Sequence, residues 1–327
     1  MKKCLALVLV FGLMAGIASG EEFSAWDIEE RIIPELKDDF LKMPAMEINA
    51  ETLPALRKAF VPSSLPKDEG VKVYDEVLAS GLRVRVYVPA AEAEKYPALL
   101  WIHGGGHILG MPEQDEALLL RMAKEAGCII TAPDYRLAPE HPYPADIDDC
   151  YEALVWMTEN LPVRKDRVAV AGQSAGGGLT AALALRVRDY GGPALCFQMP
   201  LYPMLDCRNI TPSISQIVDH RVWNRDFNVT AWRMYLGEGV RGASEYASPA
   251  LAEDLSDLPP TYIMVGQLDP FRDESMNYAQ RLLQAGVPVE LRVMPGVFHG
   301  FETYFPGSDA GRKVIDEYVK ALVNALK

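Results

Sequence analysis

Residues 167–189 read RVAVAGQSAGGGLTAALALRVRD, and no other stretch limits the fold of this chain so tightly. An apolar run ends at Gly172, Ser174 follows, and an alanine-rich apolar run resumes after Gly178. Glycine weakens a strand or helix by roughly 0.5–1 kcal/mol relative to alanine, so four glycines at one junction need a structural reason. A sharp turn from a buried strand into a helix supplies it. The residue at the turn is forced into a strained backbone conformation, and its small neighbours let strand and helix approach closely.

The rest of the chain repeats the same alternation. VKVYDEVLA and LRVRVYVPA predict an antiparallel hairpin around Ser80-Gly81. ALLWIHGG, CIITAPDY, RVAVAGQ, LCFQMPLYP, TYIMVGQLD and VELRVMPG predict short apolar strands. Helical patterns fall at 113–126, 145–159, 177–189, 273–285 and 309–327. Strands alternating with helices imply an α/β fold: a mostly parallel central sheet flanked by helices. Residues 21–66, broken by five prolines, and 208–247 show no strand pattern. They are expected to cap the sheet edge, with Trp26, Phe60, Trp223, Trp232 and Tyr235 enclosing a pocket.

The first residues, MKKCLALVLVFGLMAGIASGEE, read as an export signal. Lys2 and Lys3 begin it, an apolar run reaches Ile17, and Ala18-Ser19-Gly20 offers a cleavage site. The run is shorter than a spanning helix; the alternative is an uncleaved membrane anchor. The expected mature chain, 21–327, is one catalytic domain in the periplasm or outside the cell. Loss of Lys2 and Lys3 would take the net charge from −13 to −15. Such acidity argues against nucleic acid and anionic membranes as partners. An exported chain permits disulfides. Cys128 and Cys150 fall in a strand and a helix and read as buried thiols, whereas Cys196 and Cys207 could pair. No C-x-x-C metal or redox spacing occurs, and neither metal nor organic cofactor is expected.

Gly172-Gln173-Ser174-Ala175-Gly176 matches G-x-S-x-G, which places a serine hydroxyl above the sheet at a helix N-terminus. A serine needs a base, and in such folds the partners follow in the order Ser, acid, His. Two histidines follow Ser174. His220 falls in the irregular segment, and His299 ends a strand, where open α/β sheets place their active groups. Asp269 closes the preceding strand and is the expected acid. Asp273 and Glu274 compete, in a helical first turn where carboxylates complement the dipole. His103-Gly104-Gly105-Gly106, at another strand end, offers bare backbone N–H groups for an oxyanion.

The motifs HGGG (103–106), DYRLAPEHPYPA (134–145), GQSAGG (172–177), LDPFRDE (268–274) and FHGF (298–301) stand in one order at fitting spacing. From about residue 70 onward the chain resembles the hormone-sensitive lipase-like esterases, a branch of the α/β-hydrolases. The resemblance implies a carboxylic ester hydrolase with Ser174 as nucleophile, Asp269 as acid and His299 as base. It further implies oxyanion N–H groups from Gly105, Gly106 and Ala175, a structural His103, and a DYRLAPE segment bracing the elbow from beneath. Gln173 departs from the Asp or Thr of most members. His107 stands where an aromatic residue is frequent, which bears on acyl-pocket shape. The implied partner is a small ester; a short to medium acyl length is expected from the compact pocket that the capping aromatics would enclose. The alternatives are a ligand-binding protein on the same scaffold and an amide or peptide hydrolase using the same three groups.

Overall fold

The computed structural model describes residues 24–327; the export signal expected at 1–20 lies outside them. Eight strands form one sheet: β1 (Val71–Val77), β2 (Arg83–Pro89), β3 (Tyr96–Ile102), β4 (Ile129–Pro133), β5 (Val163–Gln173), β6 (Phe197–Leu201), β7 (Thr261–Leu268) and β8 (Val289–Phe298). Their order is β1-β2-β4-β3-β5-β6-β7-β8. β2 runs antiparallel to both neighbours, and every pairing from β4 to β8 is parallel. All eight expected strands, two from the hairpin and six from the apolar runs, are present.

The helices are α1 (Pro34–Phe40), α2 (Leu53–Ala59), α3 (Glu116–Ala126), α4 (Ala145–Asn160), α5 (Ala175–Tyr190), α6 (Pro212–Gln216), α7 (Arg225–Leu236), α8 (Arg272–Gln284), α9 (Phe301–Tyr304) and α10 (Asp309–Leu326). Side chains alternate across a pleated strand, and β3 shows the consequence. Leu99 and Trp101 pack with Leu119 of α3 and Leu322 of α10, whereas Ala98, Leu100 and Ile102 pack with Leu154 of α4 and Leu183 of α5. Both sheet faces are therefore covered, and the strands read as apolar runs rather than alternating ones.

The chain leaves β3 for β4 on one side, then returns to β5 on the other side of β3. The loops after β3 and β5 diverge above that reversal, which opens a crevice at the carboxyl ends of the strands. The glycine-rich loop ends β3 and Ser174 ends β5, so both stand at this crevice.

The segments expected to form a cap divide their roles. Ile28, Ile32, Leu36 and Phe40 belong to the sheet core, with Phe40 against Phe298 at 5.4 Å between ring centres. Only the part around Met46, Ile48, Leu56 and Phe60 faces the crevice, together with Trp223. Trp232 and Tyr235 are buried on the inner side of α7 and do not line it. Trp26 lies under the guanidinium groups of Arg31 and Arg272.

The disulfide considered for Cys196 and Cys207 is absent: both thiols are free, as are Cys128 and Cys150. Cys196 precedes β6 and Cys207 lies beyond its far end. Five extended residues span about 16 Å, whereas a disulfide needs Cα atoms within ~7 Å. Among the described residues no helix is long and apolar enough to cross a membrane.

Candidate active site

Ser174 sits at φ +56°, ψ −118°, between the last residue of β5 and the first of α5. Its neighbours make that turn possible. A Cβ on Gly172 or Gly176 would overlap the Ile102 carbonyl of β3, so only glycine lets α5 start this close to the sheet. The Ser174 N–H donates to Leu201 O, and the Ser174 carbonyl accepts from Met204 and Gly178, which locks the turn. The side chain is nearly buried yet lines a cavity of about 220 Å³.

The two residues expected as its acid–base partners come from neighbouring strand ends. Leu268 of β7 pairs with Phe298 of β8, so the next residue on each strand, Asp269 and His299, emerges at the same level. His299 Nδ1–H donates to Asp269 Oδ2 at 2.9 Å. On the other side of the ring, Nε2 lies 2.9 Å from Ser174 Oγ. The tautomer with the proton on Nδ1 leaves the Nε2 lone pair for the serine proton. Asp269 is fully buried, and its second oxygen accepts from the Phe271 N–H at 2.8 Å. Tyr202, Trp223 and Phe271 surround the imidazole with ring centres at 4.9, 6.3 and 5.1 Å.

The competing carboxylates face elsewhere. Asp273 accepts from the Ser213 N–H and pairs with Arg272. Glu274 accepts from the Leu205 N–H at 2.6 Å, and burial pushes its carboxyl well above the usual range. His220 lies on the outside, bonded to the Met46 carbonyl.

Gly105 and Gly106 occupy φ +122° and +62°, a region open to glycine at little cost. A Cβ on Gly105 would overlap the Leu109 carbonyl, and one on Gly106 would enter the Trp223 ring. Among the described residues, the N–H groups of Gly105 and Gly106 donate to no protein acceptor. Ala175 opens α5, where the first N–H groups have no intrahelical partner. His103 Nδ1–H donates to Gly104 O at 2.8 Å, and burial holds its imidazole down at about 4, hence neutral.

The DYRLAPE segment braces this glycine loop rather than the elbow. The Tyr135 ring stacks on His103 at 4.1 Å, and its hydroxyl donates to the His103 carbonyl. The Ala138 N–H donates to the His107 carbonyl. His107 itself points away from the cavity. It bonds Asp146 at 2.8 Å, stacks on Tyr235 at 3.9 Å, and so ties the loop to α4 and α7. The sequence singled out His107 only as standing where an aromatic residue is frequent, and nothing in it pointed to Asp146. Gln173, by contrast, does line the cavity. The arrangement can deprotonate a serine hydroxyl and meet a developing oxyanion with fixed donors. Among the described residues no cluster of His, Cys, Asp or Glu could hold a metal ion.

Residues 99–303 match the family described as the alpha/beta hydrolase fold. The carboxylesterase NlhH of Mycobacterium tuberculosis is 36% identical over 275 residues, covering 81% of this chain and 85% of that protein. The esterase LipI of the same species is 37% identical over 232 residues, covering 69% and 72%. The solved structure of a bacterial heroin esterase superposes with a TM-score of 0.84 at 36% identity, covering 91% of this chain and 99% of that one.

Proposed function

This chain belongs to the alpha/beta-hydrolase family, in the branch of hormone-sensitive lipase-like esterases, and on that footing we propose that it hydrolyses carboxylic esters through an acyl intermediate on Ser174. The observation that carries the reading is the unbroken chain Ser174 Oγ, His299, Asp269, with both contacts at 2.9 Å. Ser174 Oγ attacks the ester carbonyl while His299 Nε2 takes its proton. The imidazolium that forms is held by buried Asp269. Negative charge collects on the former carbonyl oxygen, and the N–H groups of Gly105, Gly106 and Ala175 receive it. Collapse breaks the C–O bond to the alcohol, which leaves with the proton from His299. Water then attacks the acyl-serine with His299 again as base, and the acid departs.

The cavity limits what fits. Met46, Ile48, Leu56, Phe60 and Trp223 make its walls largely apolar. Its volume of about 220 Å³ lies below the ~300–1,000 Å³ typical of pockets that enclose drug-sized ligands. These features support esters of short to medium acyl length. The export reading rests on residues 1–20 and stands as part of the proposal. A phosphonate ester that labels Ser174 in the wild type, with labelling and turnover both lost in Ser174→Ala, tests the mechanism. Label on another residue overturns it.

A further inference from the structure

A second cavity, of about 280 Å³, lies against the first, and the two share Gln114, Asp115, Gln173 and Thr303 in their walls. Glu302 lines only the second. Three buried polar groups here have acceptor capacity that no protein donor fills. Glu302 Oε1 accepts from the Tyr202 and Tyr318 hydroxyls at 2.6 and 3.1 Å, whereas its buried Oε2 has no partner among the described residues. Asp115 Oδ2 accepts from the Trp101 indole N–H at 2.8 Å, and among the described residues no donor reaches Oδ1. The Gln173 side-chain amide makes no hydrogen bond within the described protein, although the residue is only 4% exposed.

A buried carboxylate normally stands beside a cation or a full set of donors. Neither is present. The basic group on the wall of this cavity, Arg121, is already held by Glu125 and Asp316 at 2.7 and 2.6 Å. Burial pushes Asp115 up to about 7 and raises Glu302, with the charge of Glu302 adding to the shift on Asp115. A neutral hydroxyl would bring one donor and leave both charges uncompensated. An ammonium brings as many as three donors and the missing positive charge.

We propose that Asp115, Glu302 and Gln173 form a cation subsite beside the nucleophile, which holds a protonated amine carried by the ester substrate. The proposal rests on the esterase reading, since the amine is placed there by an ester whose carbonyl lies at Ser174. It makes Gln173, next to the nucleophile, a specificity residue through its carbonyl oxygen. It also selects amine-bearing esters over neutral ones of the same shape.

The test compares binding of hexylammonium and hexan-1-ol to the intact wild-type protein by calorimetry at pH 8.5 and low salt. At that pH Asp115, held at about 7, is ionised and the amine is still protonated. The expected result is at least about tenfold tighter binding of hexylammonium, the equivalent of one charge-assisted hydrogen bond. Asp115→Asn and Glu302→Gln should each bring the ratio towards one. Equal or weaker binding of the ammonium to the wild type overturns the proposal, whatever the variants do. So does an unchanged ratio in both variants, or equal strengthening by hexane-1,6-diol, which would mark a hydroxyl site. Turnover of neutral 4-nitrophenyl butanoate tests the esterase reading separately. Ammonium binding needs no turnover, so the two failures are told apart.

Discussion

Replacing Asp269 by Asn changes one oxygen to NH₂ at nearly constant volume, and the surroundings dictate which way the amide turns. One carboxylate oxygen accepts from the Phe271 N–H at 2.8 Å, and a backbone N–H cannot accept in return. The asparagine oxygen must therefore take that position, which turns its NH₂ toward His299 Nδ1. Nδ1 becomes an acceptor, the ring proton moves to Nε2, and Nε2 now presents N–H to Ser174 Oγ instead of a lone pair. The base is lost although every heavy atom keeps its place. The imidazolium formed during attack also loses its buried counter-charge. A triad carboxylate replaced in this way elsewhere lowers kcat about 10⁴-fold, equivalent to about 5.5 kcal/mol of barrier. Asp273→Asn removes a charge that faces Ser213 and Arg272 rather than the imidazole, and should change kcat less than about tenfold. Steady-state kinetics on 4-nitrophenyl butanoate, with melting curves to confirm folding, measures both. A folded Asp269→Asn protein that loses less than tenfold refutes the argument. So does an Asp273→Asn protein that is the more impaired of the two.

Three further outcomes follow from other parts of the molecule. On a ladder of 4-nitrophenyl esters, kcat/KM should rise by up to about fourfold per methylene while the cavity fills, from ~0.8 kcal/mol per buried CH₂, and peak between about four and eight carbons; a flat profile would show an open site. His103 is buried and neutral, held at about 4 against 6.5 for an ordinary histidine, so its contribution to stability is complete above pH 6.5 and is lost as pH falls towards 4. Over that window the wild type should lose about 3 kcal/mol more than His103→Gln in urea titrations, and parallel curves would show that His103 is not held neutral. N-terminal sequencing of protein from its native host should begin near Glu21, and an intact Met1 on a cytoplasmic form would refute export.

The parts of the fold that local chemistry dictates were legible in the residues. β3 to β7 announced themselves as short apolar runs because both sheet faces are covered there, and β1 and β2 as a hairpin around Ser80-Gly81. Ser174 was legible because the sharp turn requires glycine at 172 and 176, and that requirement shows in the sequence as spacing. The Asp269–His299 contact followed from two strand ends that register side by side. The capping segments were less legible because long-range contacts, not periodicity, organise them. Phe40 finds Phe298 across the core. Arg57 reaches the Ile108 and Ala138 carbonyls and the Glu140 carboxylate. A seven-residue helix has no pattern long enough to announce such partners.

What stayed hidden were pairings whose members carry no local signature. His107 and Asp146 lie 39 residues apart, and nothing at either position names the other. Together they fix the residue that follows the glycine loop, itself at φ +64°, against the stacked ring of Tyr235. Asp115 and Glu302 are more widely separated still. Asp115 reads as an ordinary acidic residue in a helical first turn, and Glu302 as the polar neighbour of FHGF. Only the fold shows that both are buried and that Arg121, the arginine on the same cavity wall, is taken up by Glu125 and Asp316. Polar residues at a turn are cheap, and sequence treats them so; the same residues become costly once a sheet and two helices close over them. That cost is borne where Gln173 departs from the usual Asp or Thr of the elbow. A third carboxylate at that position, beside the two already buried, would add repulsion between like charges, and a neutral amide avoids it.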